Sequence, residues 1–89
     1  MKKDILVKDL PNIGAVLAKE LENAGIKYLS DLQKLGSAKA LFIIKGISGK
    51  GCYNMLYALE GAIKQIRWHD LSQEEKNNIK QNFLNLIEK

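Results

Sequence analysis

One cysteine, one proline, one tryptophan and one histidine are spread over 89 residues. The single Cys52 excludes an intramolecular disulfide and any multi-cysteine metal site, in keeping with a reducing, cytoplasmic setting. No apolar run nears the roughly 20 residues of a membrane-spanning helix; the longest is Ala40–Ile44. Met1-Lys2-Lys3 is followed by no stretch of signal-peptide length, so neither export nor a membrane partner is expected. Apolar–polar alternation between turn signals is missing, which argues against strands. Arginine is nearly absent, Arg67 standing alone among 14 basic residues. Base readout in the major groove favours arginine, so the basic surface suits phosphates rather than sequence reading.

What remains is the composition of one small globular domain, residues 1–89, with 46% hydrophobic residues and a formal charge of +4. That charge is compatible with nucleic acid and equally with solubility alone.

The chain is organised around Leu10–Leu35. A turn, Pro11-Asn12-Ile13-Gly14, leads into a helix whose apolar positions are Val16, Leu17, Leu21 and Ala24. Gly25 stops that helix, because glycine takes the left-handed conformation without a Cβ penalty. Asn12 is the residue that best replaces glycine at positive φ. Before this turn, residues 1–9 predict a short helix or an extended arm. After it, Ser30-Asp31-Leu32-Gln33 reads as a capping box, and Ser37 as the N-cap of a helix over Ala38–Lys45 with Leu41, Phe42 and Ile44 inward. Lys45–Gly51 is the second turn. The longest helix runs from Cys52 to about Trp68 with Met55, Leu56, Leu59, Ala62, Ile63 and Ile66 apolar. Ser72-Gln73-Glu74-Glu75 caps the last helix, whose apolar side carries Ile79, Phe83, Leu84, Leu86 and Ile87. The fold class is all-α, a compact bundle of about five or six short helices.

At an offset of 34, Ile13 aligns with Ile47, Ala18 with Cys52, Leu21 with Met55 and Ala24 with Ala58. Small matches small and large matches large, so Cys52 is expected to be buried at a close helix contact. The pattern of apolar residue, turn, Ile-Gly, Ala18 and Leu21 resembles the hairpin of helix-hairpin-helix domains, and two such hairpins in tandem resemble the double, SAM-like unit. The alternative is chance agreement between two amphipathic helices.

Leu56-Tyr57-Ala58-Leu59-Glu60-Gly61-Ala62, then Arg67-Trp68-His69-Asp70-Leu71 and Glu74-Glu75-Lys76, are more specific. With Leu-Pro-Asn-Ile-Gly at 10–14 and Ala-Gly-Ile at 24–26 they resemble the C-terminal domain of the bacterial TfoX/Sxy competence regulators, over roughly residues 8–88. The resemblance implies a non-enzymatic regulatory domain of helix-hairpin-helix type, linked to competence and transcription regulation. In full-length members it accompanies an N-terminal domain that these 89 residues do not include.

Candidate chemistry is sparse. Gly46-Ile47-Ser48-Gly49-Lys50-Gly51 is not a Walker loop: its spacing, the residue after Lys50 and the preceding helix are all wrong. Backbone amides there, with Lys45 and Lys50, are candidates for holding one DNA phosphate without sequence preference, as are those of Asn12, Ile13 and Gly14. The second turn carries the lysines, while Asp9, Glu20 and Glu22 surround the first, so the second is the favoured site. His69 and Asp70 lack a nucleophile at any catalytic spacing. Trp68 reads as a core or hinge residue, and Tyr53 and Tyr57, one turn apart, as an exposed aromatic patch for a partner. No cofactor, metal or catalytic residue is expected. The partner is DNA through its backbone or, alternatively, another regulatory protein or a second copy of the chain.

Overall fold

Pro11 closes the entry segment, and Asn12 then turns the chain at a φ of 71°. In the computed structural model, which describes residues 4–49 and 51–88, this turn opens the first of five α-helices. They are α1 (Ala15–Asn23), α2 (Leu29–Leu35), α3 (Ser37–Ser48), α4 (Tyr53–Lys64) and α5 (Gln73–Ile87), with 3-10 turns at Val7–Asp9 and Trp68–Asp70. The described residues contain no β-strand; Leu6 and Tyr28 form an isolated antiparallel bridge. The all-α expectation holds.

Helix α1 ends as its glycine requires. Gly25 sits at a φ of 81°, its N–H donates to the Glu22 carbonyl (3.0 Å), and the Ile26 N–H reaches back to Leu21 (2.9 Å). Leu17, Ala18 and Leu21 are buried, but Val16, expected on the same face, is 69% exposed. It lies roughly 100° round the helix from Leu17, on the side away from Ala18.

The start of α2 differs from expectation. Its N-cap is Tyr28 rather than Ser30, and the Asp31 carboxylate accepts from the Tyr28 N–H (3.2 Å) and the Lys27 N–H (3.4 Å). Ser30 instead serves the N-terminal arm: its hydroxyl donates to Asp4, whose carboxylate also accepts from the Ser30 N–H (3.2 Å). The arm lies along residues 27–29, with Leu29 N–H donating to Ile5 (2.7 Å) and Val7 N–H to Lys27 (3.0 Å). Ser37 is likewise no cap but the first residue of α3, 3% exposed, donating its hydroxyl to Glu60 (2.7 Å).

Helix α3 runs through the predicted second turn and ends only at Gly49, where φ is 74°. Its buried residues, Ser37, Ala40, Leu41 and Ile44, fall at i, i+3, i+4 and i+7. Phe42 is off that stripe and 42% exposed, a correction to its inward placement. α3 is the central helix, packing on α1, α2, α4 and α5, and the core it organises includes Leu21, Leu32, Leu41, Leu56, Leu59 and Phe83.

Helix α4 stops at Lys64, short of Trp68, because Gln65 adopts a φ of 58°. Ile66 N–H then donates to Gly61 (2.9 Å) and Gln65 N–H to Ala62 (3.1 Å), the pairing that usually employs glycine. A non-glycine residue there costs about 1–2 kcal/mol. Asn12 braces this corner: its side-chain amide donates to the Ile66 carbonyl (2.8 Å), and its side-chain oxygen accepts from the Trp68 N–H (3.2 Å). Gly61 makes room for it. A Cβ at Gly61 would lie 2.5 Å from Asn12 Nδ2, 2.9 Å from the Ile66 oxygen and 3.1 Å from the Trp68 Cα.

Helix α5 is capped by Ser72 as expected. Ile79 and Phe83 are buried, whereas Ile87 is 43% exposed. The repeat at offset 34 does not survive in three dimensions. Ile13 packs against the core while Ile47 is 59% exposed, and Cys52 is exposed rather than buried like Ala18. The reason is that Gly46–Ser48 stay helical, which moves the turn on and leaves Cys52 as the N-cap of α4.

Gly61→Ala should destabilise by about 1–3 kcal/mol through overpacking, outweighing the roughly 1 kcal/mol that alanine adds to a helix interior. Asn12→Gly keeps the turn but loses both side-chain bonds, at about 1–3 kcal/mol in total. Urea unfolding of the double variant should give a sum smaller than the two single losses, since Asn12 supplies the nearest clash; strict additivity would show that the two residues do not share this corner.

Candidate nucleic-acid interface

Helix N-termini carry N–H groups without intrahelical partners and the positive end of the helix dipole, so their occupancy decides where an anion can bind. At α2, Asp31 and Asp4 already take that place, and the Ser30 hydroxyl holds the Asp4 carboxyl below its ordinary value. At α5, the Ser72 hydroxyl accepts from the Glu75 N–H (3.1 Å) while the Glu75 carboxylate accepts from the Ser72 N–H (3.1 Å). Lys64 donates to the same carboxylate and lies 3.7 Å from Glu60. The Lys64 ammonium, with help from Ser72, holds the Glu75 carboxyl down to about 2, and Glu75 in turn raises Lys64. At α3, the Glu60 carboxylate accepts from the hydroxyl of Ser37, the first residue of the helix, and lines the cleft of about 440 Å³ beside Gly36 and Ala38.

The N-termini of α1 and α4 are left. Neither has a side-chain cap or an acidic residue in its first turn. They are the two sites expected from sequence, but their surroundings reverse the expected preference. Gly14, the N-cap of α1, has a φ of −83° that any residue could adopt, and a Cβ on it would meet nothing within 4 Å. It opens on a cleft of about 520 Å³ lined also by Lys8, Ala15, Ala18, Lys19 and Glu22. Asn12 and Ile13 do not face that cleft, since one braces the far corner and the other packs on the core.

The second turn is shorter than its sequence suggests. Gly46, Ile47 and Ser48 form the last turn of α3, and the Ser48 hydroxyl donates back to Ile44 (3.0 Å). Isolated glycine is tolerated inside a helix, and the chain leaves only at the left-handed Gly49. Lys50 lies outside the described residues. Lys45 is exposed, but with Gly51 and Cys52 it lines a cavity of about 280 Å³ whose other walls are Tyr53, Phe83 and Ile87. An apolar lining of that kind is a poor seat for a phosphate.

The aromatic residues are already engaged. Trp68, expected as a core or hinge residue, is half-buried and stacks on Tyr57 (6.2 Å between centroids) and on His69 (4.1 Å). The Lys76 ammonium lies over Tyr57 (5.6 Å) and Trp68 (5.4 Å), and that of Lys80 over Tyr53 (4.7 Å). Tyr57 is thereby half-covered and Tyr53 remains 38% exposed. Among the described residues no group of three His, Cys, Asp or Glu could hold a metal, and no helix is long and apolar enough to cross a membrane.

Lys8 and Lys19 are the residues that sequence reasoning passed over. Lys19 read as solvated helix surface and Lys8 as part of an arm; a lysine one turn beyond an uncapped glycine was the available signal.

The model of the TfoX C-terminal domain matches residues 3–83. Two crystal structures from Listeria monocytogenes are similar in fold and sequence. An uncharacterized protein in a triclinic form has a TM-score of 0.83 and 41% identity, covering 91% of this chain and 92% of that one. A protein of unknown function in a tetragonal form has a TM-score of 0.80 and 42% identity, covering 89% and 98%. DNA polymerase IV of Picrophilus torridus is 41% identical over 56 residues, 63% of this chain, and the chain spans 15% of that polymerase.

The Glu75 carboxyl is depressed in the folded state, so its contribution is complete above the ordinary 4.5 and is lost as pH falls towards about 2. Urea unfolding should show wild type more stable than Glu75→Gln at neutral pH, with the gap closing between those values. A gap that is constant over that range would deny the carboxylate its role at α5.

Proposed function

The chain belongs to the TfoX C-terminal domain family, and from that premise we propose that it is a non-enzymatic accessory module that holds DNA by its phosphate backbone. Its setting is competence or another branch of transcription regulation, which places it in the cytoplasm. The observation that carries this reading is the N-terminus of α1, uncapped, free of acids in its first turn, opened by a glycine that no neighbour requires, and flanked by Lys8 and Lys19, with Glu22 the single carboxylate on the cleft and bonded to none of the helix-end amides. The amide N–H groups there can donate to one phosphate oxygen, the helix dipole favours its charge, and the two ammonium groups neutralise it. Kinship with a stretch of a DNA polymerase supports a DNA partner. The lone Arg67 argues for backbone contact without base readout.

With one or two phosphates held, the slope of log K against log salt should be about −1 to −2, equal for unrelated duplexes. Gly14→Asp separates binding from folding. A carboxylate is a better N-cap than glycine, so stability should rise by a few tenths of a kcal/mol, while DNA affinity falls because the carboxylate occupies the phosphate's place. Lys8→Gln with Lys19→Gln should weaken binding and flatten the salt slope. Fluorescence anisotropy reads all three; absence of wild-type binding at low salt, or Gly14→Asp binding like wild type, removes this function.

A further inference from the structure

Four of the exposed large apolar side chains, Phe42, Ile47, Tyr53 and Ile87, belong to one end of the molecule, where α3 ends, α4 begins and α5 ends. Phe42, Lys45, Gly46 and Ile87 line a cavity of about 260 Å³. The neighbouring cavity of about 280 Å³ shares Lys45 and Ile87 with it and adds Tyr53 and Phe83, so the two form one groove. Gly46 forms a notch in its wall. Glycine costs a helix backbone entropy relative to alanine, yet a Cβ on Gly46 would meet nothing within 4 Å. Gly61 lacks its Cβ for the sake of internal packing; Gly46 has no such internal reason, and the space it leaves faces outward.

Charge selects the occupant. No carboxylate lines either cavity, Lys45 lies in both, and Lys80 stands over Tyr53 at the rim. Neither lysine is paired with an acid among the described residues. A second copy docked groove to groove would bring like charges together. A nucleic acid would set phosphates against Phe42 and Ile87. We propose that this groove docks an amphipathic helix of a partner protein whose apolar ridge is flanked by carboxylates. One apolar side chain enters the notch at Gly46 between Phe42 and Ile87, and the carboxylates meet Lys45 and Lys80.

The probe is a labelled peptide of about 18 residues, long enough to become helical, with leucines at i, i+3, i+4 and i+7 and glutamates beside them. Its counterpart carries lysine in place of every glutamate. The glutamate peptide should bind at least about tenfold tighter than the lysine peptide, more weakly as salt rises, and should shift the amide resonances of Phe42, Gly46 and Ile87. Gly46→Met fills the notch; it should weaken binding by about tenfold without lowering the melting temperature, since methionine is the better helix former. Gly14→Asp should leave peptide binding unchanged, which keeps this test apart from the DNA site. Equal binding of the two peptides, no binding at about 1 mM, resonance shifts elsewhere, or a Gly46→Met variant that binds like wild type would overturn the proposal. Sedimentation that shows a dimer dissociated by Gly46→Met would overturn it in favour of a second copy.

Discussion

The side-chain amide of Asn12 ties the turn before α1 to residues 54 and 56 places further along, donating to Ile66 and accepting from Trp68. Two backbone irregularities and one missing side chain meet at that contact. Asn12 and Gln65 hold the two left-handed non-glycine conformations of the described chain, and Gly61 gives up a side chain so that the amide can reach them. Left-handed strain of this kind persists where surrounding bonds over-determine it. The corner then sets Trp68 against Tyr57, and the 3-10 turn at Trp68–Asp70 delivers the chain to Ser72, where α5 begins.

The same contact shapes the candidate DNA site. Because the polar end of Asn12 is turned inward, the hairpin presents backbone and Gly14 to solvent rather than a side chain that could satisfy the amides itself. Carboxylates meanwhile occupy the N-termini of α2 and α5 and the cleft at α3, so the bare helix ends are those of α1 and α4. Their neighbours divide them: Lys8, Lys19 and Glu22 around the cleft at α1, and Phe83, Tyr53 and Ile87 with Lys45 at α4. The first is the seat proposed for a phosphate, the second the groove proposed for an apolar ridge edged with acids.

Glycine shows why such sites are hard to see in a sequence. Gly25 ends α1 by its own φ, a local matter that any reading of the chain finds. Gly14, Gly46 and Gly61 look alike on paper, yet one bares a helix end, one leaves an outward notch and one yields to Asn12. Only the neighbours brought by folding distinguish them.

What the sequence determined by itself was whatever bonds over a few residues: an all-α chain, the left-handed turn at Asn12, the stop at Gly25, the capping box of Ser72 with Glu75, and the motifs that mark the family. These follow from helical spacing and from bonds between residues one turn apart, which the chain carries into any tertiary setting. Tertiary structure decided that Ser30 ties the arm at Asp4 instead of capping α2, that α3 continues through Gly46 to Ser48, and that Val16, Phe42, Cys52 and Ile87 face outward. At the start of α2 and at the Asn12 corner the deciding partner lies far along the chain, 26 residues for Asp4 and Ser30 and 54 for Asn12 and Ile66. A hydrogen bond or a buried side chain gained at that distance is worth as much as a local propensity, so the fold could overrule the local pattern wherever the two disagreed.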